Sequence, residues 1–379
     1  MILRCDITLP ASKSESNRAL MIAAYGGFAP DFQNVSASSD TLILTDALHT
    51  IRAGASVVNI ADCGTAARFM TAFLACHEGD WLLTGSDRMK QRPVKPLVDA
   101  LLSLGADIQY TENQGFLPLQ IHGKTIQGGK AGVDMTQSSQ FASSLLLAAP
   151  MFSQGLELDL QGCANSLPYL DMTIGIMRYF SAQVEKQGST IFVKPQSYQK
   201  QPFSIEPDWT AASYWYEMGA FSDECEIKLR GLSLSSLQGD AIIAEWMAQL
   251  GVDTCVEDDA IVLRKTSFEK HPLHFDFAPY PDLYPTMAAT CAGLGVEASF
   301  SGLDNLVFKE SDRIAAMQAE LARMGDRPIR FYAYNDHRIV MALAPLAMLV
   351  GPVGFDHPEV VEKSYPGFWD DASFLPVRG

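Results

Sequence analysis

Six times along the chain a short polar cluster leads into a run of small apolar residues. The six are SESNRALMIAA from Ser14, GTAARFMTAFLA from Gly64, SSQFASSLLLAA from Ser138, TAASYWYEMGA from Thr210, YPTMAATCAG from Tyr284 and DHRIVMALAPLA from Asp336. Each predicts a helix with a polar start and a buried body, since apolar residues cover most of its circumference. About 31 to 36 positions after each start comes a second helix-like stretch with apolar residues at i, i+3 and i+4. These are DALHTIRAGASVV from Asp46, DALLSLGADIQY from Asp99, IGIMRYFSAQVE from Ile174, EWMAQLGVDTCV from Glu245, AAMQAELARMG from Ala315 and a terminal one near Phe368. Between them lie β-like runs such as WLLTG, LPLQIHG, LELDLQG, TIFVKP and CEIKLRG, closed by Gly or Pro.

A βαβαββ unit repeated six times accounts for this order. It predicts an α/β protein of two similar domains, each of three units with helices inside and sheets outside. Pro207-Asp208 marks the boundary, giving a first domain over 11–206 and a second over 1–10 plus 207–379, with the opening strand ILRCDITLP joined to the second half. A single irregular α/β domain is the competing arrangement.

Composition narrows the function. The chain has 379 residues, enough for two hydrophobic cores, and a net charge of −16, which argues against nonspecific binding to nucleic acid or anionic membranes. Seven cysteines (5, 63, 76, 163, 225, 255 and 291) form no CxxC pair and are odd in number, which fits reduced thiols and no metal site. The start, MILRCD, has no apolar secretory core, and the longest uncharged run, Ile339 to Phe355, is interrupted by Pro345, Gly351, Pro352 and Gly354. A cytoplasmic protein is expected.

The polar helix starts carry the chemistry. Lys13, Ser14 and Arg18 make an anion cradle, because a helix N-terminus and fixed cations both favour phosphate. Gly64, Thr65 and Arg68 repeat the pattern with a glycine that permits close approach. Ser138, Ser139 and Gln140 offer neutral hydrogen-bonding groups, and Arg88, Lys90 and Arg92 sit together in a loop. Each of these also reads as ordinary capping or a solubilising loop. In KESDR, Lys309, Glu310 and Arg313 share a helix side if the segment is helical, facing either a cleft or solvent. In YNDHR, His337 and Arg338 precede a wholly apolar helix and so need partners or a ligand. Asp282, in YPDLYPT, is either an N-cap or a general base.

In their order, SKSESNRA, GTAAR, RMKQRP, SSQ, PD, KESDR and YNDHR resemble the 5-enolpyruvylshikimate-3-phosphate synthases of the enolpyruvyl transferase family. The resemblance spans nearly the whole chain. It implies two domains closing over their substrates, an active site in the interdomain cleft, and transfer of the enolpyruvyl group of phosphoenolpyruvate to the 5-hydroxyl of shikimate 3-phosphate by addition and elimination. It implies no metal or organic cofactor, a monomer, no nucleic-acid or membrane partner, and glyphosate as a competitor beside Gly64. By the same resemblance Lys13, Ser14, Arg18, Ser138, Ser139, Gln140, Ser166, Tyr169, Asp282, Asn305 and Lys309 hold shikimate 3-phosphate. Lys13, Gly64, Arg92, Gln140, Arg313, Arg338 and Lys363 hold phosphoenolpyruvate. Asp282 is the expected base at the hydroxyl and Glu310 the acid at the methylene carbon, with Lys13 near the departing phosphate and His337 in support.

Two departures from the family pattern stand out. Asp62-Cys63 replaces the more usual Asn-Ala before Gly64, adding a carboxylate, and the segment from Met324 to Tyr334 is shorter than the usual strand pair. The second is either a trimmed hairpin or residues absent from the chain. Rival readings are the sister UDP-N-acetylglucosamine enolpyruvyl transferase, for which a Lys-Asn pair and a catalytic loop cysteine are expected, and a non-catalytic anion-binding protein on the same scaffold.

Overall fold

A computed structural model describes residues 1–162 and 166–378, with the side chain of residue 378 outside the description; Cys163, one of the expected reduced thiols, lies outside the described residues. The chain divides into two compact units, Lys13–Ile205 and a discontinuous one of Met1–Ser12 with Glu206–Gly379. In the discontinuous unit the two stretches of chain are stitched together where they meet. The Ser12 amide donates to the Glu206 carbonyl at 2.8 Å and the Asp208 amide to the Pro10 carbonyl at 2.8 Å.

All six polar-start segments become helices. In the Lys13–Ile205 unit these are Lys13–Tyr25, Gly64–Cys76 and Gln140–Ala148, which pack on one another. In the discontinuous unit they are Trp209–Phe221, Tyr284–Leu294 and His337–Leu343. Every residue of Trp209–Phe221 and of His337–Leu343 is buried, as their lack of a polar stripe requires. The helices form the cores and the sheets cover them.

Three sheets show the full repeat, in which a parallel pair is extended by an antiparallel hairpin. They are Val57–Asn59, Gly79–Thr84, Leu119–Gly123 and Ile108–Tyr110; then Gly129–Asp134, Leu156–Gln161, Thr190–Val193 and Val184–Gln187; and Ile2–Ile7, Glu224–Arg230, Ala260–Lys265 and Val252–Glu257. The opening strand thus runs parallel to Glu224–Arg230, with Ile2 opposite Glu224. The other three sheets are pared down among the described residues. Phe32–Gln33 pairs only with Phe203–Ser204, Leu273–Asp276 only with Ala298–Ser301, and Ile329–Phe331, Val353–Phe355 and Val377–Arg378 run all parallel. Of the six expected βαβαββ-like units, three carry a full four-stranded sheet and three a reduced one among the described residues. In the last, one three-residue strand occupies the short segment before Tyr334.

Five of the second helices start earlier than their apolar runs suggest, at Ser39, Lys95, Leu167, Ile243 and Arg313. The first turns there are partly polar or contain proline, which a helix start tolerates. Among the described residues no helix is long and apolar enough to cross a membrane.

Candidate active site

Each unit gathers its own cluster of functional side chains at the first turns of its central helices. In the Lys13–Ile205 unit, Lys13 opens its helix and its ammonium pairs with Asp40 at 3.1 Å, both nearly buried. Asp40 lies in the Ser39–Arg52 helix, 27 positions on, and nothing local in the sequence marks it as this partner. Arg18 is buried one turn in. Its Nε donates to Thr173 Oγ1 at 2.7 Å, and its terminal nitrogens donate to the Ser14 carbonyl at 2.8 Å and the Tyr169 carbonyl at 3.1 Å. Burial brings its guanidinium down to about 10, against partial support from Tyr169 and Glu15. Tyr169 thereby holds Arg18 through its backbone. Ser166, at the start of that helix, is buried in the left-handed region at φ +59°, a conformation costing a β-carbon residue of order 1 kcal/mol.

The Gly64–Cys76 helix is capped by Cys63, whose sulfur accepts from the Ala66 amide at 3.3 Å. The extra carboxylate of Asp62 is tied to the Ser86 hydroxyl. The close approach that Gly64 permits is taken up by side chains of the chain itself. A β-carbon there would stand 2.7 Å from Arg92 Nη1 and 2.9 Å from Arg68 Nη1, so the glycine lets two guanidinium groups lie against the helix start. Arg68 is fixed by the Gly64 carbonyl at 3.0 Å and the Pro93 carbonyl at 2.8 Å. Gln140 crosses to Thr65 Oγ1 at 3.1 Å, joining two helix starts, and Ser138 Oγ accepts from the Gln140 amide at 3.2 Å; Ser139 is buried beside them.

The discontinuous unit holds an interleaved network of cations and carboxylates. Asp282 sits in the single turn Pro281–Leu283 ahead of the Tyr284–Leu294 helix. It accepts from Arg313 Nη1 and Arg338 Nη2, each at 2.8 Å, with Lys309 Nζ at 3.7 Å. Burial alone would raise this carboxyl, but Arg338, Lys309 and Arg313 together hold it well below the usual carboxylate range. Burial lowers the Lys309 ammonium, and Arg313 and Arg338 add to that against the pull of Asp282. Glu310 pairs with Arg313 Nη2 at 2.9 Å and lies 4.0 Å from Lys363. Arg313, only 1% exposed, also meets Asp336 at 2.8 Å through Nε. His337 is buried with Nδ1 3.7 Å from the same carboxylate, and Asn305 is buried at the head of the turn leading to Lys309.

The Glu310–Arg313 contact does not arise from helical i, i+3 spacing, as the sequence suggests. The helix begins only at Arg313, after Asp312 caps it, and Lys309 is extended. The spacing is realised by a turn, because the Asp312 carboxylate accepting from the Ala315 amide at 3.1 Å competes successfully for the helix start. Sequence reasoning also passed over Asp240. It accepts from Thr210 Oγ1, and burial together with the charge of Asp282 pushes it up to about 6.

Two cores of buried helices under mixed sheets, each opening on fixed cations, define a protein that handles small polyanions. Known proteins identify which. A sequence model of the EPSP synthase (3-phosphoshikimate 1-carboxyvinyltransferase) family matches residues 50–372. The 3-phosphoshikimate 1-carboxyvinyltransferase of Bacteroides fragilis is 40% identical over 391 aligned positions, covering 97% of this chain and 94% of that protein. That of Aliivibrio salmonicida is 32% identical, covering 98% and 97%. An EPSP synthase structure from Acinetobacter baumannii shares the fold, with a TM-score of 0.76 at 19% identity over 98% of this chain and 96% of that one. The chain belongs to the EPSP synthase family, a family of transferases.

Proposed function

We propose that this chain transfers the enolpyruvyl group of phosphoenolpyruvate to the 5-hydroxyl of shikimate 3-phosphate, releasing phosphate, on the route to aromatic amino acids. The observation that carries the reading is the Asp282 environment. An addition–elimination needs one group to take the hydroxyl proton and another to protonate the methylene carbon. Asp282 is ionised and thus ready to accept, and Glu310 stands between Arg313 and Lys363 as the candidate acid.

The substrates themselves complete the argument. Two phosphates and two carboxylates repel one another, and bidentate arginines offset this best. When phosphoenolpyruvate draws on Arg313, Arg338 and Lys363, their hold on Asp282 and Glu310 weakens. The Asp282 carboxyl then rises toward values suited to proton transfer. Lys13, Gly64, Arg92 and Gln140 are assigned to the same ligand, with Lys13 serving the departing phosphate and His337 in support. Ser14, Arg18, Ser138, Ser139, Ser166 and Tyr169 are assigned to shikimate 3-phosphate, together with Asp282, Asn305, Lys309 and the shared Lys13 and Gln140. The two clusters are taken to serve one pair of ligands, as the two-domain reading of 11–206 against 1–10 plus 207–379 requires. The enzyme is taken to be a cytoplasmic monomer, which suits a step fed by phosphoenolpyruvate.

Phosphate release from phosphoenolpyruvate decides the matter. Turnover is expected with shikimate 3-phosphate and not with UDP-N-acetylglucosamine. The reverse pattern would identify the sister transferase, and no release with either would identify an anion-binding protein.

A further inference from the structure

We propose that Asp336 is the positioning residue that fixes Arg313 and Arg338 in a common frame for the anionic substrate, an inference resting on the assignment of those arginines to phosphoenolpyruvate. The backbone delivers Asp336 at a cost. Tyr334 and Asn335 both take left-handed conformations, at φ +53° and +54°, and a tyrosine is poorly suited to that region. The turn is pinned on both sides. Tyr334 Oη donates to the buried Glu320 at 2.7 Å, the Tyr332 amide donates to the same carboxylate at 3.0 Å, and the Ala333 amide donates to Asp356 at 2.7 Å. Such over-determination holds the following residue, Asp336, at zero exposure.

Both oxygens of Asp336 are then engaged. Oδ2 accepts from Arg313 Nε at 2.8 Å and Ser311 Oγ at 3.0 Å. Oδ1 accepts from the Arg338 backbone amide at 3.1 Å and Arg313 Nη2 at 3.3 Å. One carboxylate therefore grips the side of one arginine and caps the helix that carries the other.

The three carboxylates around Arg313 are not equivalent. Asp282 and Glu310 are 16% and 14% exposed and have second cations, in Arg338 with Lys309 and in Lys363. An arriving anion can take their places, because neither is left buried without a counter-charge. Asp336 is wholly buried, and within ion-pair reach among the described residues it meets Arg313 and the His337 ring at 3.7 Å, which carries a charge only when protonated. Breaking the Arg313 contact would strand a buried charge, which is strongly unfavourable. Asp336 thus stays on the Nε edge of Arg313 throughout, touching Nη2 at 3.3 Å, and leaves Nη1 and the Glu310 side of Nη2 to exchange.

Kinetics of Asp336→Asn separate this role from simpler ones. Deleting a negative charge near an anion site would by electrostatics alone tighten phosphoenolpyruvate binding, whereas loss of positioning raises its KM by about tenfold or more. Shikimate 3-phosphate KM is expected to stay within about twofold. A phosphoenolpyruvate KM that is unchanged or lower overturns the proposal, whatever the change in Tm. If Asp336→Asn does not fold, Ser311→Ala removes one hydrogen bond to the same carboxylate and should raise that KM about two- to fourfold, and an unchanged value again overturns the proposal. Arg313→Lys, run in parallel, tests the underlying assignment. If it also leaves phosphoenolpyruvate KM unmoved, the ligand assignment fails; if it alone moves KM, only the role of Asp336 does.

Discussion

Glu217 offers a test of how the core of the discontinuous unit is built. It lies in the fully buried Trp209–Phe221 helix, is 0% exposed, and neither carboxyl oxygen has a hydrogen-bond partner. Burial pushes its pKa well above the ordinary carboxyl value, and the Cys291 thiol beside it is pushed up to about 12, by burial first and then by Glu217. A folded-state pKa above the unfolded one means the native state binds the extra proton. The contribution is fully present below the unfolded carboxyl pKa and is lost as pH rises toward the folded value. Each pH unit in that window costs about 1.4 kcal/mol. Glu217→Gln keeps the shape and removes the titration, so as pH rises above the ordinary carboxyl value the variant should gain on the parent by up to about 1.4 kcal/mol per pH unit. That is roughly 3–6 °C in Tm per pH unit for a unit of this size. Glu217→Met, which also removes the buried polar group, should be more stable still. Four of the five tryptophans (209, 215, 246 and 369) belong to this unit, so fluorescence-detected melting reports on it. Groups shared by parent and variant cancel in the comparison. Parallel Tm–pH curves for the parent and the Glu217→Gln variant would refute the reasoning.

Gly64→Ala should raise the KM for phosphoenolpyruvate, because the added β-carbon displaces the guanidinium groups of Arg92 and Arg68, its nearest neighbours. An unchanged KM in steady-state assays contradicts it. The parent should be inhibited by glyphosate in competition with phosphoenolpyruvate, through the same guanidinium groups, and full activity far above inhibitor saturation contradicts that. Asp282→Asn should cut kcat by about 10²–10⁴ if this carboxylate is the base, with a smaller change in KM; a kcat within about tenfold of the parent assigns the base elsewhere. Shikimate 3-phosphate should compact the protein, since bound anions offset repulsion among clustered cations; small-angle scattering with an unchanged radius of gyration counts against it.

Where the buried helices begin is written locally in the chain. A polar or hydroxyl cluster followed by small apolar residues is a short-range signal, because capping and burial act within one or two turns. It marked Lys13, Gly64, Gln140 and His337 closely, and the order of motifs from SKSESNRA to YNDHR pointed to the family. Which charges meet is a matter of packing alone. Lys13 with Asp40, Arg18 with Thr173 155 positions away, and Arg313 with Asp282 and Asp336 are contacts between distant stretches of chain. No periodicity encodes them, since a salt bridge needs only proximity and the chain returns to that place by way of whole sheets. The same holds for the three reduced sheets. Their shortened pairing leaves the helical repeat intact, because the helices fill each core and the strands only cover it.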